Sequence, residues 1–190
     1  MNGQHARIGG GMQPTGNPRI DARVAAIDEH VRQENRHDLD GLLATFGNEA
    51  VYEDAPWDER HEGMAAVREY YASLFRAAPD LHVEVRNRHV AEEAIVLEVM
   101  ITGTHLGAWR GLPPTGRRLA FPLCGIFTFD ENDRMRGERI YYDRVNVLRQ
   151  LGVMSDPTTF GGRLGMLLLH PATVIRAGIR SRFRRATSRS

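Results

Sequence analysis

The side chains able to do chemistry in this 190-residue chain gather in three places. Glu138, Tyr142 and Asp143 lie along and just after the last strand-like segment, Tyr52, Glu53, Asp54 and Trp57 crowd a short stretch, and His105 comes shortly before Trp109 and Arg110. Abstracting a proton beside a carbonyl needs a base in a water-poor pocket and a hydrogen-bond donor facing the developing enolate oxygen. A buried carboxylate suits the first task because desolvation raises its pKa; a phenol suits the second. Strand alternation puts Glu138, Ile140 and Tyr142 on one face and Arg139, Tyr141 and Asp143 on the other. Glu138 and Tyr142 therefore form a candidate carboxylate–phenol pair; the plainer reading is a surface glutamate near a turn and a packed tyrosine. Asp143 is placed to cap the following helical turn, to take part in catalysis, or both. Glu53 and Asp54, beside Tyr52 and Trp57, make a second candidate acid/base cluster or else a solvated loop with one packed tryptophan. His105 and Trp109 are placed to line an entrance.

Other chemistries are excluded. All 25 basic residues are arginine, so Schiff-base lysine catalysis and a Walker-type phosphate loop are ruled out. The single cysteine, Cys124, excludes an internal disulfide and a cysteine-based zinc site, and it reads as a packing residue. No H-x-H or H-E-x-x-H spacing appears, so no metal site is expected, and no serine sits in G-x-S-x-G. His30, on the apolar side of the first helix, reads as a core histidine.

The elements that must position these groups follow from hydrophobic period. Val24, Ile27, His30 and Val31 predict an amphipathic helix over 20–34; Asp38 predicts the cap of a short second helix carrying Leu39, Leu42, Leu43 and Phe46. Ala50–Tyr52 reads as a short strand, and Met64–Arg76 as a third helix. After Pro79 the period becomes alternating: Val83–Val90, with poorly distinguished faces, then Ile95–Ile101, Leu119–Phe129 and Arg134–Asp143, before a helical turn over Val145–Leu151. Short turns make such strands antiparallel. Helices followed by a meander mean an α+β domain with N-terminal helices packed on one face of a curved antiparallel sheet, which encloses an apolar hollow.

Two stretches carry a family likeness: Leu112-Pro-Pro-Thr-Gly-Arg-Arg118 immediately before a strand, and Tyr141-Tyr-Asp-Arg-Val-Asn-Val-Leu-Arg-Gln-Leu-Gly152. Their order resembles the SnoaL-like polyketide cyclase and ester cyclase family of the nuclear transport factor 2-like superfamily, over about residues 20–152. The resemblance implies a cone-shaped (cystatin-like) fold, an interior pocket facing Ile140's side of its strand, and commonly a homodimer through the outer sheet face. In aldol-cyclising members it implies ring closure without metal or organic cofactor, using an aspartate and a histidine. Counted along the motif, those positions are Ile140 and Gly125 here, so any catalysis must use other groups.

Three regions are expected: a flexible arm over 1–19, the SnoaL-like domain over 20–152, and a basic extension over 153–190. Residues 152–190 hold seven arginines against one acid, Asp156, while the preceding residues hold 18 against 23. Asp156-Pro157 and Gly161-Gly162 read as chain breakers. Ala172–Arg185 reads as a basic amphipathic helix that would lie on the acidic core or contact an anionic membrane. Nucleic acid is not an expected partner, because such a tail offers only nonspecific attraction. No run of 18 apolar residues and no secretory signal appear, so the expected compartment is cytoplasmic. The expected function is binding of a small hydrophobic, oxygenated molecule, with cofactor-free acid/base cyclisation, isomerisation or dehydration. The alternative is a non-catalytic ligand-binding or interaction module.

Overall fold

The computed structural model describes residues 6–7, 15–155, 158–169 and 171. Residues 1–151 form one unit and residues 152–190 a second. The first unit begins with a two-residue strand, β1 (Ala6–Arg7), at the edge of the sheet beside Asn87 and Arg88. Helix α1 (Pro18–Arg36) starts where the Asn17 side chain accepts from the backbone N–H groups of Arg19 and Ile20, and it stops at His37, which turns left-handed (φ +55°). Val24, Ile27 and His30 form its buried stripe. Helix α2 (Leu39–Leu43) is capped by Asp38 as expected, but it ends before Phe46. Phe46 instead opens strand β2 (Phe46–Asp54), which runs through a 3₁₀ turn into β3 (Glu59–Glu62). The sequence does not predict strand β3, because a run of Glu, Arg, His and Glu carries no apolar alternation. Helix α3 (Met64–Ala77) follows, burying Val67 and Tyr71.

Strands β4 (His82–Val90), β5 (Ala94–Thr104), β6 (Arg118–Phe129) and β7 (Met135–Tyr142) complete a seven-stranded sheet in the order β1-β4-β5-β6-β7-β2-β3. The expected meander is present, and the mixed α+β architecture agrees with the expected class. One pairing differs: β2 and β7 run parallel. Parallel pairing needs a long crossover, which everything between residues 54 and 135 supplies. The blurred faces of β4 come from a register shift between Val85 and Asn87. Before it, Val83 and Val85 turn inward; beyond it, Arg88 and Val90 do, so parity reverses and His82 and His89 share the outer face.

The segment after β5 ties the sheet to α3. Leu106 and Gly107 donate to the Ala77 carbonyl at 2.9 and 3.0 Å, satisfying a helix-end acceptor. Asp80 accepts from the Thr104 backbone N–H and hydroxyl at 2.6 and 2.7 Å. Trp109 and Leu112 then exchange backbone hydrogen bonds around Arg110 and Gly111, both at positive φ, a hairpin of the primed kind. Gly116 donates to the His105 carbonyl at 2.9 Å, folding the Pro113-Pro114-Thr115 loop back onto the strand end. Helix α4 (Arg144–Gln150) closes this unit.

In the second unit, α5 (Phe160–Leu169) begins at Phe160, so Gly161 and Gly162 lie inside a helix rather than breaking the chain. The expected basic helix over 172–185 lies outside the described residues. Among the described residues no helix is long and apolar enough to cross a membrane.

A Cβ at Gly107 would sit 2.1 Å from the Arg76 carbonyl oxygen. Gly107→Ala should therefore lower unfolding stability by about 1–3 kcal/mol or more in urea titration, as overpacking against fixed backbone does.

Candidate active site

Helices α1 and α3 roof the concave face of β4–β7 and leave a cavity of about 90 Å³. That is several times the room one water requires. Its wall is mainly apolar, including Val83, Leu97, Ile101, Leu123 and Ile140, and its polar lining includes Glu34, Tyr52, Tyr70, His105, Glu138 and Tyr142. Ile140 and Gly125 are direct cross-strand partners, and both line it.

Glu138 is a buried carboxyl of the cavity wall. Its side chain is 8% exposed, and the Tyr71 hydroxyl donates to Oε2 at 2.5 Å. His30 stands beside them, its Nε2 at 3.4 Å from Glu138 Oε2 and 3.3 Å from the Tyr71 oxygen. The other face of this imidazole is settled by proton counting. The Thr45 hydroxyl gives its single proton to the Leu42 carbonyl at 2.6 Å, so it accepts from His30 Nδ1 at 2.9 Å. His30 thus carries a proton on Nδ1 and turns Nε2 toward the Tyr71–Glu138 pair. Gly125 makes the space beside them: a Cβ there would lie 3.1 Å from the Phe127 ring and 3.7 Å from Glu138 Oε1.

Glu34 is a second cavity carboxyl that sequence reasoning missed. It lies one helical turn after His30 on the same side of α1. The next residue, Asn35, fixes it in place by donating to the Val83 carbonyl at 2.9 Å and accepting from the Val83 N–H at 2.7 Å. Burial first, and the charge of Glu138 second, push the Glu34 pKa up to about 8. A signal was available, since Glu34 continues the Ile27–His30–Val31 spacing.

A separate polar cluster borders the cavity. Asp54 is fully buried, with Arg110 Nη2 at 2.6 Å from Oδ2 and the Tyr70 and Tyr142 hydroxyls at 3.3 and 3.4 Å. Burial raises the Asp54 pKa while the Arg110 charge opposes that rise. Trp57 Nε1 donates to the Tyr142 hydroxyl at 2.7 Å. The Arg110 guanidinium lies 4.5 Å from the Trp57 ring centre and 5.1 Å from that of Trp109. Nothing in residue type marks Arg110 for this role, because its left-handed turn position (φ +50°) is not visible in the sequence.

Tyr52, Asp54, Trp57, His105, Trp109, Glu138 and Tyr142 are thus brought to the cavity or its border. Two expected residues are not. Glu53 follows the alternation of β2 away from the core and pairs with Arg60 and Arg139. Asp143 is exposed, outside the cavity lining, and its carboxylate accepts from the Asn146 N–H at 3.0 Å, capping α4. One residue past Tyr142, alternation alone turns Asp143 from the interior. No cluster of three or more metal-ligating side chains occurs among the described residues.

The family described as SnoaL-like polyketide cyclase is matched over residues 21–151. Among solved structures, AclR from Streptomyces galilaeus is 26% identical, with 72% of this chain and 89% of that one covered at a TM-score of 0.63. The epoxide hydrolase/cyclase-like enzyme SalBIII, described in pyran ring formation in the polyether salinomycin, is 21% identical, with 66% and 94% covered at 0.58. An LEH-like epoxide hydrolase from M. tuberculosis is 19% identical, with 70% and 92% covered at 0.58.

Two outcomes follow from these placements. Asp143→Ala should cost about 1 kcal/mol of stability through loss of the α4 cap, read as a lower urea midpoint. For Glu34, the unfolded chain releases its proton near 4.5 and the folded chain near 8. Its contribution to stability is therefore fully present below 4.5 and lost as pH rises toward 8. Urea midpoints of Glu34→Gln should lack that decline.

Proposed function

The chain belongs to the SnoaL-like polyketide cyclase family, and from that premise we propose that its cavity binds a small hydrophobic, oxygen-bearing molecule. On that molecule it performs acid/base chemistry of the cyclisation, isomerisation or dehydration kind. The observation carrying this reading is Glu138: a buried carboxylate held by Tyr71 beside His30 at the wall of an otherwise mainly apolar cavity. A non-catalytic binding module has no need to bury such a group, whose desolvation is costly.

Glu138 is the base. It takes a proton from the carbon beside a carbonyl, leaving an enolate that attacks within the same molecule or is reprotonated elsewhere. The proton is then shared along the chain of contacts. Protonated Glu138 donates to the Tyr71 oxygen, and the Tyr71 proton turns to His30 Nε2 across 3.3 Å. Glu34, which keeps its proton up to about pH 8, supplies one to the substrate oxygen. Two carboxyls whose surroundings assign them opposite roles make a workable acid/base pair. Tyr142 borders the site with its hydroxyl held by Trp57 and Asp54, so it shapes the wall. Every step uses this chain's own groups. The cyclase and epoxide hydrolase descriptions of the similar structures support such chemistry in this fold.

The test is deuterium wash-in at the acidic carbons of 2-tetralone in heavy water, followed by proton NMR. The full chain should accelerate exchange over buffer, and Glu138→Gln should reduce that acceleration by roughly 10²–10⁴-fold, the usual contribution of a positioned base, with its circular dichroism unchanged. No acceleration by the unaltered protein, or full acceleration by Glu138→Gln, would remove this reading.

A further inference from the structure

The polar groups around the cavity are mostly occupied by one another. Tyr71 gives its proton to Glu138, while the hydroxyls of Tyr70 and Tyr142 face Asp54. His105 is different. Its residue is 2% exposed, it lines the cavity, and its Nε2 is buried with no hydrogen-bond partner.

Which nitrogen carries the proton is fixed by the neighbouring loop. The Thr115 backbone N–H points to His105 Nδ1 at 3.2 Å, and a backbone N–H can only donate. Nδ1 therefore offers its lone pair, and the proton sits on Nε2. The Thr115 hydroxyl lies on the same nitrogen at 3.1 Å, so the loop occupies one edge of the ring while the opposite edge stays unpartnered. Protonating Nδ1 would break the Thr115 contact and place a charge in a desolvated site. Burial correspondingly pushes the His105 pKa below its usual 6.5. The ring is held neutral, in one tautomer and one orientation, by the Pro113-Pro114-Thr115-Gly116 loop.

We propose that His105 Nε2–H is the ligand-orienting donor of this cavity, receiving the acceptor oxygen of an uncharged hydrophobic ligand such as a ketone, ester or cyclic ether. This rests on the reading that the cavity is the ligand site, and it narrows the ligand class. A neutral imidazole offers no ion pair to an anion, and the Glu138 carboxylate in the cavity wall disfavours one. A hydrocarbon without oxygen would leave the donor unpaired, which a buried site penalises. The same contact gives an enolate oxygen its stabilising donor when Glu138 removes the neighbouring proton. The loop motif thus acquires a physical purpose: Thr115 fixes the tautomer that a ligand needs.

The experiment compares 2-tetralone with tetralin, the same carbon skeleton without the carbonyl, on the full chain carrying ¹⁵N-labelled histidine. His105 should show one protonated and one bare ring nitrogen at neutral pH, and its Nε2–H resonance should move downfield with 2-tetralone but not with tetralin. The ketone should bind about tenfold more tightly than tetralin, the equivalent of one hydrogen bond. His105→Phe should abolish that preference, and His105→Gln, whose amide can donate, should keep part of it. Should the variants fold poorly, the ring resonances of the unaltered protein decide alone. Equal binding of both probes, a preference surviving in His105→Phe, or an Nε2–H resonance indifferent to the ketone overturns the proposal. An intact His105 response alongside no exchange by the unaltered protein, or alongside full exchange by Glu138→Gln, removes only the Glu138 assignment; a missing His105 response alongside exchange that is lost in Glu138→Gln removes only this one.

Discussion

A carboxylate inside hydrocarbon is the constraint around which this fold is arranged. Removing Glu138 from water is unfavourable unless a donor replaces the lost hydration, and the groups that arrange this come from separated parts of the chain. Tyr71 donates to it from α3, His30 of α1 offers its bare Nε2 beside that pair, and Thr45, in the turn leading to β2, holds the imidazole's proton on Nδ1. Gly125, across the sheet, leaves the ring of Phe127 and the carboxylate their space. The packing of two helices on the sheet and the hydrogen bonding of one acid are thus the same event. The second buried acid, Asp54, is managed differently: a guanidinium neutralises it directly, with tryptophan rings beside the cation.

The two acids divide the interior by electrostatic character. Around Glu34, burial first and the charge of Glu138 second favour the protonated carboxyl. Near Asp54 the opposite holds, with Arg110 bridging to Glu59 as well. Proton transfer belongs to the first environment, and rigid shaping of the border to the second.

Much of this was legible in residue order. Alternation on β7 places Glu138 and Tyr142 inward and Asp143 outward, and Asp143's capping role follows from what comes next in the chain. The helices, the meander and the family likeness over the central 130 or so residues were likewise readable. What was not readable shares one cause, dependence on partners distant in sequence. Phe46 looks helical until its pairing with Met135 is known, and the polar β3 is a strand only because β2 lies beside it. The two faces of β4 separate only once its bulge is located. Glu53 and Asp54, adjacent and chemically alike, part company because β2 is nine residues of strand rather than a short strand and a loop.

The parallel union of β2 with β7 has a consequence for the order in which the molecule comes into being. Tyr52 meets Glu138, and Asp54 meets Ile140, across more than eighty residues of intervening chain. Contacts so remote raise the entropic barrier to folding and slow it. On the ribosome, α1, α2 and α3 emerge long before the strand that completes the chamber. Until β7 has left the exit tunnel the floor lacks its last strand, and Tyr71 and His30 have no acid beside them. The reactive interior is therefore completed only by the last strand of the sheet, and a premature stop before β7 forfeits its acid.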